Sequence, residues 1–490
     1  MKPSDRVEVG LTRQLSRRKP PHNIIPGEAH ATQLKRSIGT FQLTMFGVGA
    51  TIGTGIFFVL SMVVPVAGPS VIVSFIIAGI AAGLAAICYA ELASCIPVSG
   101  SAYSYAYATL GELVAVVVAA CLVLEYGVST SATAVSWSQY LNKLIENLFG
   151  FRIPEALSAS PFDVDPGIIN LPAMVLILSC ALLLIRGATE SVLVNTIMVL
   201  LKVGVLIVFV IVGFTAFTSG NLVPFAPHGV AGIGAATGTI FFSYVGLDAL
   251  ATAGEEVKNP NKTLPRAFIY ALAIIMVVYI LVALVAVAAQ PWEQFEGQQA
   301  GLSQILENIV GASWPGTIIA AGAVISIASV TLVTLYAQTR ILFAMGRDGM
   351  VPAAFARVHP KSQTPVFATI VVTVIVALLA ATVPLDDLAD LVSIGTLVAF
   401  IVVSAGVILL RRTDPDLPRA FKVPGYPVTP ILAILACGYV LSTLHWVTFA
   451  WFTAWAGAAV VFYLLWGRRH SKLATDSQSD NTVLYSEAPK

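Results

Sequence analysis

The sequence predicts an all-α membrane protein with twelve transmembrane spans, because its residues are mostly apolar, its charges are few and its apolar segments have the length of membrane helices. Of 490 residues, 57% are hydrophobic and 11% are charged, whereas about 25% are charged in soluble domains. A water-soluble fold of this composition would not cover its surface with polar side chains. We therefore expect lipid to surround the chain.

Apolar runs of about 20 residues locate the spans, since a helix of that length crosses the hydrocarbon core. The stretch from Ser37 to Ala90 holds no charged residue and has room for the first two spans. The expected transmembrane domain covers residues 37–467, between tails formed by residues 1–36 and 468–490. The twelve spans are predicted near residues 40–66, 68–96, 111–138, 168–186, 190–217, 231–254, 266–290, 314–342, 365–384, 390–411, 426–446 and 448–467.

Lysine and arginine residues predict how the spans are oriented. An even number of spans puts both tails on one side of the membrane, and the two tails hold eight and four Lys and Arg residues. The loops on the opposite side hold only Lys143 and Arg152. We therefore expect a multi-pass protein of the cell membrane with both tails in the cytoplasm.

The composition and the motifs exclude several classes of function. A net charge of +1 does not provide the basic surface that nucleic acids require. Five cysteines without CxxC spacing predict neither disulfides nor a metal site, and no cofactor is expected. The sequence has no HExxH or GxSxG motif of an enzyme and no GxxxxGKS/T loop of an ATP-driven pump. Of the functional classes considered, a secondary transporter and a channel remain.

Two spans carry glycine-rich runs that weaken a helix in the middle of the membrane. The first span contains GVGATIGTGIF from Gly47 to Phe57, and the sixth contains FFSYVGLDALATAGEEV from Phe241 to Val257. Each glycine costs a helix about 1 kcal/mol relative to alanine. One such run alone is explained by close helix packing. Two runs five spans apart predict an inverted-repeat transporter with its substrate at the membrane centre.

An amino acid suits such a pair of breaks. Freed N–H groups at the start of a half-helix favour its carboxylate, and freed carbonyls at the end of the other half favour its ammonium. A channel is the alternative, since glycine-rich backbone also lines pores.

Five ordered motifs carry a family resemblance. They are GVGATIGTGIF (47–57), CYAELASCIPVSGSAYSYAY (88–107), FFSYVGLDALATAGEEVKNP (241–260), RILFAMGRDGMVP (340–352) and RRTDPDLPRAFKVPGYP (411–427). Together they resemble the amino acid, polyamine and organocation superfamily, and most of all bacterial members of its cationic amino acid transporter family. The resemblance implies a LeuT-type fold, in which five plus five helices form an inverted repeat with discontinuous helices 1 and 6, here with two additional helices. It also implies secondary active import of cationic or small neutral amino acids, by proton symport with alternating access or by exchange.

The resemblance further implies which residues bind substrate. The backbone around Gly53 would meet the substrate carboxylate, the carbonyl of Thr51 would face the ammonium, and Phe242 would close over the site. The residues assigned in this way are Thr51, Gly53, Thr54 and Gly55 in the first span and Phe242, Ser243 and Val245 in the sixth.

Two acidic residues lie deep inside spans, where a charge costs about 2.5–3.5 kcal/mol on insertion scales and therefore points to function. Glu125 follows Glu112 by thirteen residues, or about 20 Å of helix. We interpret Glu125 as a substrate-binding counter-charge for an amine or as a proton-binding acid. A protonated carboxyl bonded to a neighbouring helix is the structural alternative. Asp248 is a second candidate site residue, or it caps the inner half of the sixth span.

Lys202 is predicted to couple transport to protons. About 18 Å of helix separates it from the start of the fifth span, too far for its side chain to reach water easily. In LeuT-type carriers a sodium ion bridges helices 1 and 8, and the resemblance implies a lysine in its place in proton-coupled members. Ser326 and Ser329 of the eighth span are its candidate partners. A structural ion pair with Glu125 or Asp248 is the alternative.

Overall fold

The structure is a computed structural model that describes residues 17–18, 38–97, 100–163, 165–186, 192–254, 257–298, 300–359 and 364–472. Within these ranges the regular secondary structure is helical, and one parallel bridge joins Ile38 to Val257. The predicted all-α class is therefore confirmed. The tails predicted as residues 1–36 and 468–490 lie mostly outside the described ranges.

The helices vary in length from three turns or fewer to about ten. The helices before residue 215 are α1 (Thr40–Thr51), α2 (Thr54–Ala67), α3 (Val71–Cys95), α4 (Ser101–Thr109), α5 (Glu112–Phe149), α6 (Leu171–Ile185) and α7 (Val192–Phe214). The later helices are α8 (Gly229–Ile240), α9 (Pro260–Ala289), α10 (Gly301–Val310), α11 (Ser313–Arg347), α12 (Val366–Thr382), α13 (Leu385–Thr413), α14 (Val428–Ser442) and α15 (Trp446–Phe462). Single helical turns also form at Glu155–Ser158 and Ala249–Thr252.

Eight helical stretches of the described chain are long and apolar enough to cross a membrane. Three further apolar helices, α6, α12 and α14, are shorter. The chain is therefore a multi-pass membrane protein, and the number of twelve spans stays a prediction. The eight stretches are Gly55–Cys95, Glu112–Phe149, Thr196–Phe214, Gly229–Thr252, Pro260–Ala289, Ser313–Arg347, Leu391–Thr413 and Trp446–His470.

The apolar pattern does not predict two of the helices, α4 and α10. Both lie in connections between predicted spans, and α10 has ten residues of which only one face, with Leu302, Ile305 and Leu306, is buried. A short amphipathic helix of this kind lacks the long apolar run that identifies a span. The helix α5 is longer than predicted and ends at Phe149 instead of near residue 138, because its polar last turns around Lys143 continue the helix beyond the apolar segment.

The two longest helices, α5 and α11, pack side by side and form a frame beside the interrupted spans, which we call the α5–α11 pair. Each helix keeps its own backbone hydrogen bonds, and side chains add bonds between them. These bonds run from Trp137 Nε1 to the Val324 carbonyl at 2.9 Å, from Thr130 Oγ1 to Thr334 Oγ1 at 2.9 Å and from Gln338 Nε2 to the Val123 carbonyl at 3.0 Å.

Candidate functional site

The first predicted interruption is present between α1 and α2. Thr51 ends α1 and Thr54 begins α2, while Ile52 (φ −73°, ψ 81°) and Gly53 (φ −126°, ψ −134°) leave the helical conformation. We call this segment the first break. A β-carbon on Gly53 would lie 3.0 Å from the side chain of Val330 on α11. The absence of a side chain at Gly53 therefore lets the first break lie close against the α5–α11 pair.

The second predicted interruption follows α8. A 3₁₀ turn covers Phe241–Tyr244, Val245 is extended (φ −64°, ψ 145°), and Gly246 adopts the left-handed region at φ +96°. We call Phe241–Asp248 the second break. A β-carbon on Gly246 would lie 2.6 Å from the Ala50 carbonyl oxygen, so the conformation and the close approach both require glycine here.

The two breaks lie against each other. A β-carbon on Gly55 would lie 2.5 Å from Cα of Ser243, which is shorter than any real contact of this kind. Gly47 on α1 approaches Leu250 in the same way, at 2.8 Å. The structure thus brings the predicted residues Gly53, Gly55 and Ser243 together at one place inside the protein.

A tyrosine that the sequence does not single out joins both breaks. The hydroxyl of Tyr279 on α9 lies 2.9 Å from the Thr51 carbonyl oxygen and 2.8 Å from the Ser243 carbonyl oxygen, so the two carbonyls share its single hydrogen. Its ring is fully buried against the rings of Phe75 and Tyr244. The carbonyl of Thr51, predicted to face the substrate ammonium, accepts bonds from Tyr279 and from the Gly53 N–H, the latter at 2.8 Å. A tyrosine in an apolar span is the only signal in the sequence.

Polar and apolar groups meet at the breaks in the way that small-molecule sites combine them. Within the described chain, the buried hydroxyls of Thr51 and Ser243 have no hydrogen-bond partner. Phe242 packs on Phe58 of α2 with ring centres 5.5 Å apart, and both belong to one apolar cluster with Val245. The side chain of Thr54 lies outside the described part of the chain. The remaining predicted residues of both breaks line one buried region that offers polar backbone beside apolar side chains.

Lys202 on α7 reaches the end of α1. Its side chain is buried, and Nζ donates to the carbonyl oxygen of Gly49 at 3.2 Å, one turn or less before the first break. Ser326 and Ser329 are buried on α11. Val205, three residues after Lys202, packs against Gly322 of α11, one turn before Ser326. The three helices α1, α7 and α11 therefore meet beside Lys202.

Glu125 and Asp248 are both buried. Glu125 is fully buried on α5 beside Gly395 of α13, whose β-carbon would lie 3.6 Å from Cβ of Glu125. Its carboxyl interacts with Asp248 and with Thr396. Asp248 accepts a hydrogen bond of 2.9 Å from the Tyr126 hydroxyl. It stands at the N-cap position of the turn Ala249–Thr252, but in the described chain its side chain makes no capping hydrogen bond. The substrate-binding role of Glu125 stays a prediction.

Two interrupted helices, packed against each other inside a multi-pass helical protein, have the architecture of a transporter that holds its substrate at broken helices. The sequence matches the amino acid permease family over residues 38–466. The chain belongs to this family, and the resemblance to the amino acid, polyamine and organocation superfamily is confirmed. It is accordingly a transporter and not an enzyme.

Individual relatives cover nearly the whole chain. It is 44% identical to the branched-chain amino acid permease BcaP of Bacillus subtilis over 93% of this chain and 98% of that protein. It is 41% identical to the methylthioribose transporter of Bacillus subtilis, over 93% of this chain and 98% of that protein. Cationic amino acid transporter 4 of Homo sapiens is 34% identical over 84% of this chain and 64% of its own length.

Proposed function

We propose that this protein imports neutral, apolar amino acids across the cell membrane together with protons. The observation that carries the coupling is the hydrogen bond from Lys202 Nζ to the Gly49 carbonyl. A buried ammonium at the end of α1 occupies a place where a metal cation would otherwise bind carbonyl oxygens. Because a lysine can lose its proton when buried, this contact can form and break with protonation.

The proposed mechanism is alternating access in a LeuT-type fold of five plus five helices, with twelve spans and both tails in the cytoplasm. The helix α1 would move with the protonation of Lys202 and open or close the first break to one side of the membrane. The substrate carboxylate would bind N–H groups at the start of α2, beside Gly53 and Gly55, and its ammonium would bind near the Thr51 carbonyl.

The apolar surroundings of the breaks support a neutral substrate. Phe58, Phe242 and Val245 offer no charge to a substrate side chain. A cationic side chain needs a carboxylate close to the site, and the candidate for this role, Glu125, interacts with Asp248 and Thr396. The name of the relative BcaP agrees with branched-chain amino acids as substrates.

The test is uptake of radiolabelled leucine into proteoliposomes with an imposed pH gradient, acidic outside. We expect the wild type to accumulate leucine without sodium, and Lys202→Met to bind leucine but not to accumulate it. The matched control is Lys262→Met, which makes the same change at an exposed lysine of α9. Undiminished accumulation by Lys202→Met, or a need for sodium in the wild type, would contradict proton symport.

Three further measurements separate the alternatives. Leucine loaded inside the vesicles should not be required for uptake; uptake that depends on it would indicate exchange. Competition with valine, arginine and methylthioribose then ranks the substrate classes, and we expect valine to compete best. Unitary current steps in a planar bilayer would indicate a channel.

A further inference from the structure

The last turns of α5 carry three polar side chains that the proposed coupling through Lys202 does not use. At the first turn of α5, the N–H group of Glu112 bonds to the carbonyl oxygen of Arg17 in the N-terminal tail at 2.9 Å. The last turns therefore lie on the side of the membrane opposite this tail residue, which the proposed orientation makes the external side. The three residues are Tyr140, Lys143 and Asn147, and their spacing puts them on one face of the helix. We call this face the outer row.

Two members of the outer row fasten α10 to α5. Lys143 Nζ lies 2.7 Å from Glu307 Oε2 on α10, and Asn147 Nδ2 donates to Glu307 Oε1 at 2.5 Å. On its other side, α10 is joined to α11, because the hydroxyl of Ser303 donates to the carbonyl oxygen of Gly316 at 2.7 Å. The helix α10 is therefore fixed to both members of the α5–α11 pair.

The helix α10 also lies against α2, which begins at the first break. A β-carbon on Gly301, the first residue of α10, would lie 3.6 Å from Cβ of Ser61, which is an ordinary van der Waals distance. Ser61 follows Thr54, the first residue of α2, by seven residues, or about two turns of helix. One end of α2 thus lies at the first break, and the middle of the helix lies against α10.

The third member of the outer row, Tyr140, holds α2 directly. Its hydroxyl donates to the carbonyl oxygen of Phe57 at 2.6 Å, and its ring meets the ring of Phe57 edge-on with centres 5.8 Å apart. Tyr140 is fully buried, so bulk water does not compete for this bond. Phe57 is the fourth residue of α2 and belongs to the same turn as Gly55, where the substrate carboxylate is proposed to bind. Tyr140 therefore connects α5 to the proposed binding turn.

The helix α2 does not need this bond to remain a helix. A carbonyl inside a helix accepts the N–H group four residues later, and its second lone pair can accept another donor. The bond from Tyr140 to Phe57 is such an addition. Its loss leaves a buried hydroxyl without a partner unless water enters. The contact can therefore form and break while α2 moves as a rigid helix.

We propose that Tyr140 is the positioning residue of an outer gate, in which its bond to Phe57 holds α2 closed against α10. The helix α10 stays in place because Glu307 fastens it to α5, and α2 is the moving part. Lys202 bonds to the end of α1, on the other side of the first break, so the two residues act on separate half-helices. The role of this gate in transport rests on the proposed alternating access.

An engineered disulfide tests whether α2 and α10 must separate during transport. The distance of 3.6 Å between the β-carbon positions of Ser61 and Gly301 suits a disulfide, which needs about 3.5–4.5 Å. The five native cysteines are all buried and should not compete. In the full chain with Ser61→Cys and Gly301→Cys together, we expect copper–phenanthroline to oxidise the two thiols to a disulfide. The oxidised protein should no longer accumulate leucine in proteoliposomes.

Reduction of the same double variant is the first control, because it should restore the uptake. The second control is Ser61→Cys alone, whose uptake should not respond to the oxidant. A fully cross-linked protein that still accumulates leucine would show that α2 and α10 do not separate during transport. Failure of the pair to form a disulfide would contradict the close contact of the two helices.

Thiol labelling tests Tyr140 without any substrate. In the purified full chain in lipid nanodiscs, a polar maleimide should react with the thiol of Ser61→Cys faster when α2 spends more time away from α10. Loss of a hydrogen bond of typical strength shifts an equilibrium about 5-fold, so Tyr140→Phe should raise the labelling rate by up to about this factor. Tyr439→Phe, at an exposed tyrosine of α14, is the matched control and should leave the rate unchanged.

Equal labelling rates in Tyr140→Phe and in its control would overturn the role of Tyr140. Cross-linking guards against misfolding of the variant. When Tyr140→Phe is added to the double cysteine variant, the disulfide should still form, because α2 returns to α10. A variant that labels fast and no longer forms the disulfide has lost the packing of α2 altogether. That result would assign Tyr140 to the stability of the protein and not to a gate.

Failure of the proposed import and failure of the gate can be told apart. If the wild type does not accumulate leucine, the proposed substrate or coupling is wrong. The labelling rates and the formation of the disulfide are measured without transport, so they still test whether Tyr140 holds α2 against α10.

Discussion

The two breaks and the α5–α11 pair differ in how the backbone N–H and C=O groups find hydrogen-bond partners inside the membrane. In α5 and α11 the N–H and C=O groups bond within each helix, and side chains such as Trp137 and Thr130 only add bonds between helices. At the breaks, the carbonyls of Thr51 and Ser243 bond to the hydroxyl of Tyr279, which comes from a third helix. Backbone without helical partners is tolerated in a membrane only where protein or a cavity surrounds it.

The difference shows where a substrate can bind backbone atoms. The α5–α11 pair has few backbone groups to offer a ligand, so it acts as a frame of fixed shape. The breaks offer buried groups such as the hydroxyls of Thr51 and Ser243, which have no bond within the described chain. Substitutions at the breaks should therefore change ligand binding, and substitutions of the side chains that bond α5 to α11 should change stability alone.

The largest effect is expected from Gly55→Ala. The new β-carbon would lie 2.5 Å from Cα of Ser243, and backbone atoms do not move aside as the end of a flexible side chain does. The breaks must separate, so we expect leucine affinity to fall by about 100-fold, or about 2.7 kcal/mol. Equilibrium binding to the purified protein measures it.

The control for this prediction is Gly204→Ala on α7, where a β-carbon would meet no atom within 4 Å. It should bind leucine as the wild type does, because alanine fits the space and favours the helix. Equal losses in the two variants would mean that the close contact of the breaks is not needed for binding.

A smaller effect is expected from Tyr279→Phe, which removes one hydroxyl and leaves two buried carbonyls without that bond. A lost partner of a buried polar group costs about 1–3 kcal/mol, so leucine affinity should fall by roughly 5- to 150-fold while the protein stays folded. Tyr270→Phe, at an exposed tyrosine of the same helix, should have no effect. Unchanged affinity in Tyr279→Phe would show that the breaks hold their shape without this bond.

The smallest effect is expected in the frame, from Thr130→Val. This change keeps the shape of the side chain and removes its bond to Thr334. Hydrogen bonds between membrane helices contribute about 0.6 kcal/mol on average. Denaturant unfolding in mixed micelles should show a loss of this size, with leucine affinity unchanged.

The control in the frame is Thr317→Val, where the hydroxyl is exposed and bonds within its own helix. It should lose less stability than Thr130→Val. If Thr130→Val lowers leucine affinity without lowering stability, the α5–α11 pair takes part in ligand binding, and the proposed difference between the two regions is wrong.

Local properties of the sequence determined the class of the protein and the position of both breaks. Apolar segments select helices in lipid wherever they occur in the chain, and glycines such as Gly53 and Gly246 weaken a helix where they stand. For the same reason the motifs around these glycines sufficed to indicate the transporter family. The sequence did not indicate α10 or the polar end of α5, because neither has the long apolar run that marks a span.

Only the tertiary structure decided which side chains meet. Tyr279 has the same local setting as other tyrosines in apolar spans, and its role depends on carbonyls that lie 228 and 36 residues away in the chain. The hydrogen bond from Tyr126 to Asp248 likewise joins α5 to the second break across 122 residues of chain, and neither residue alone reveals its partner. Hydrophobicity and helix propensity act over a few residues, whereas hydrogen bonds and charge interactions depend on distances that arise only when the helices pack.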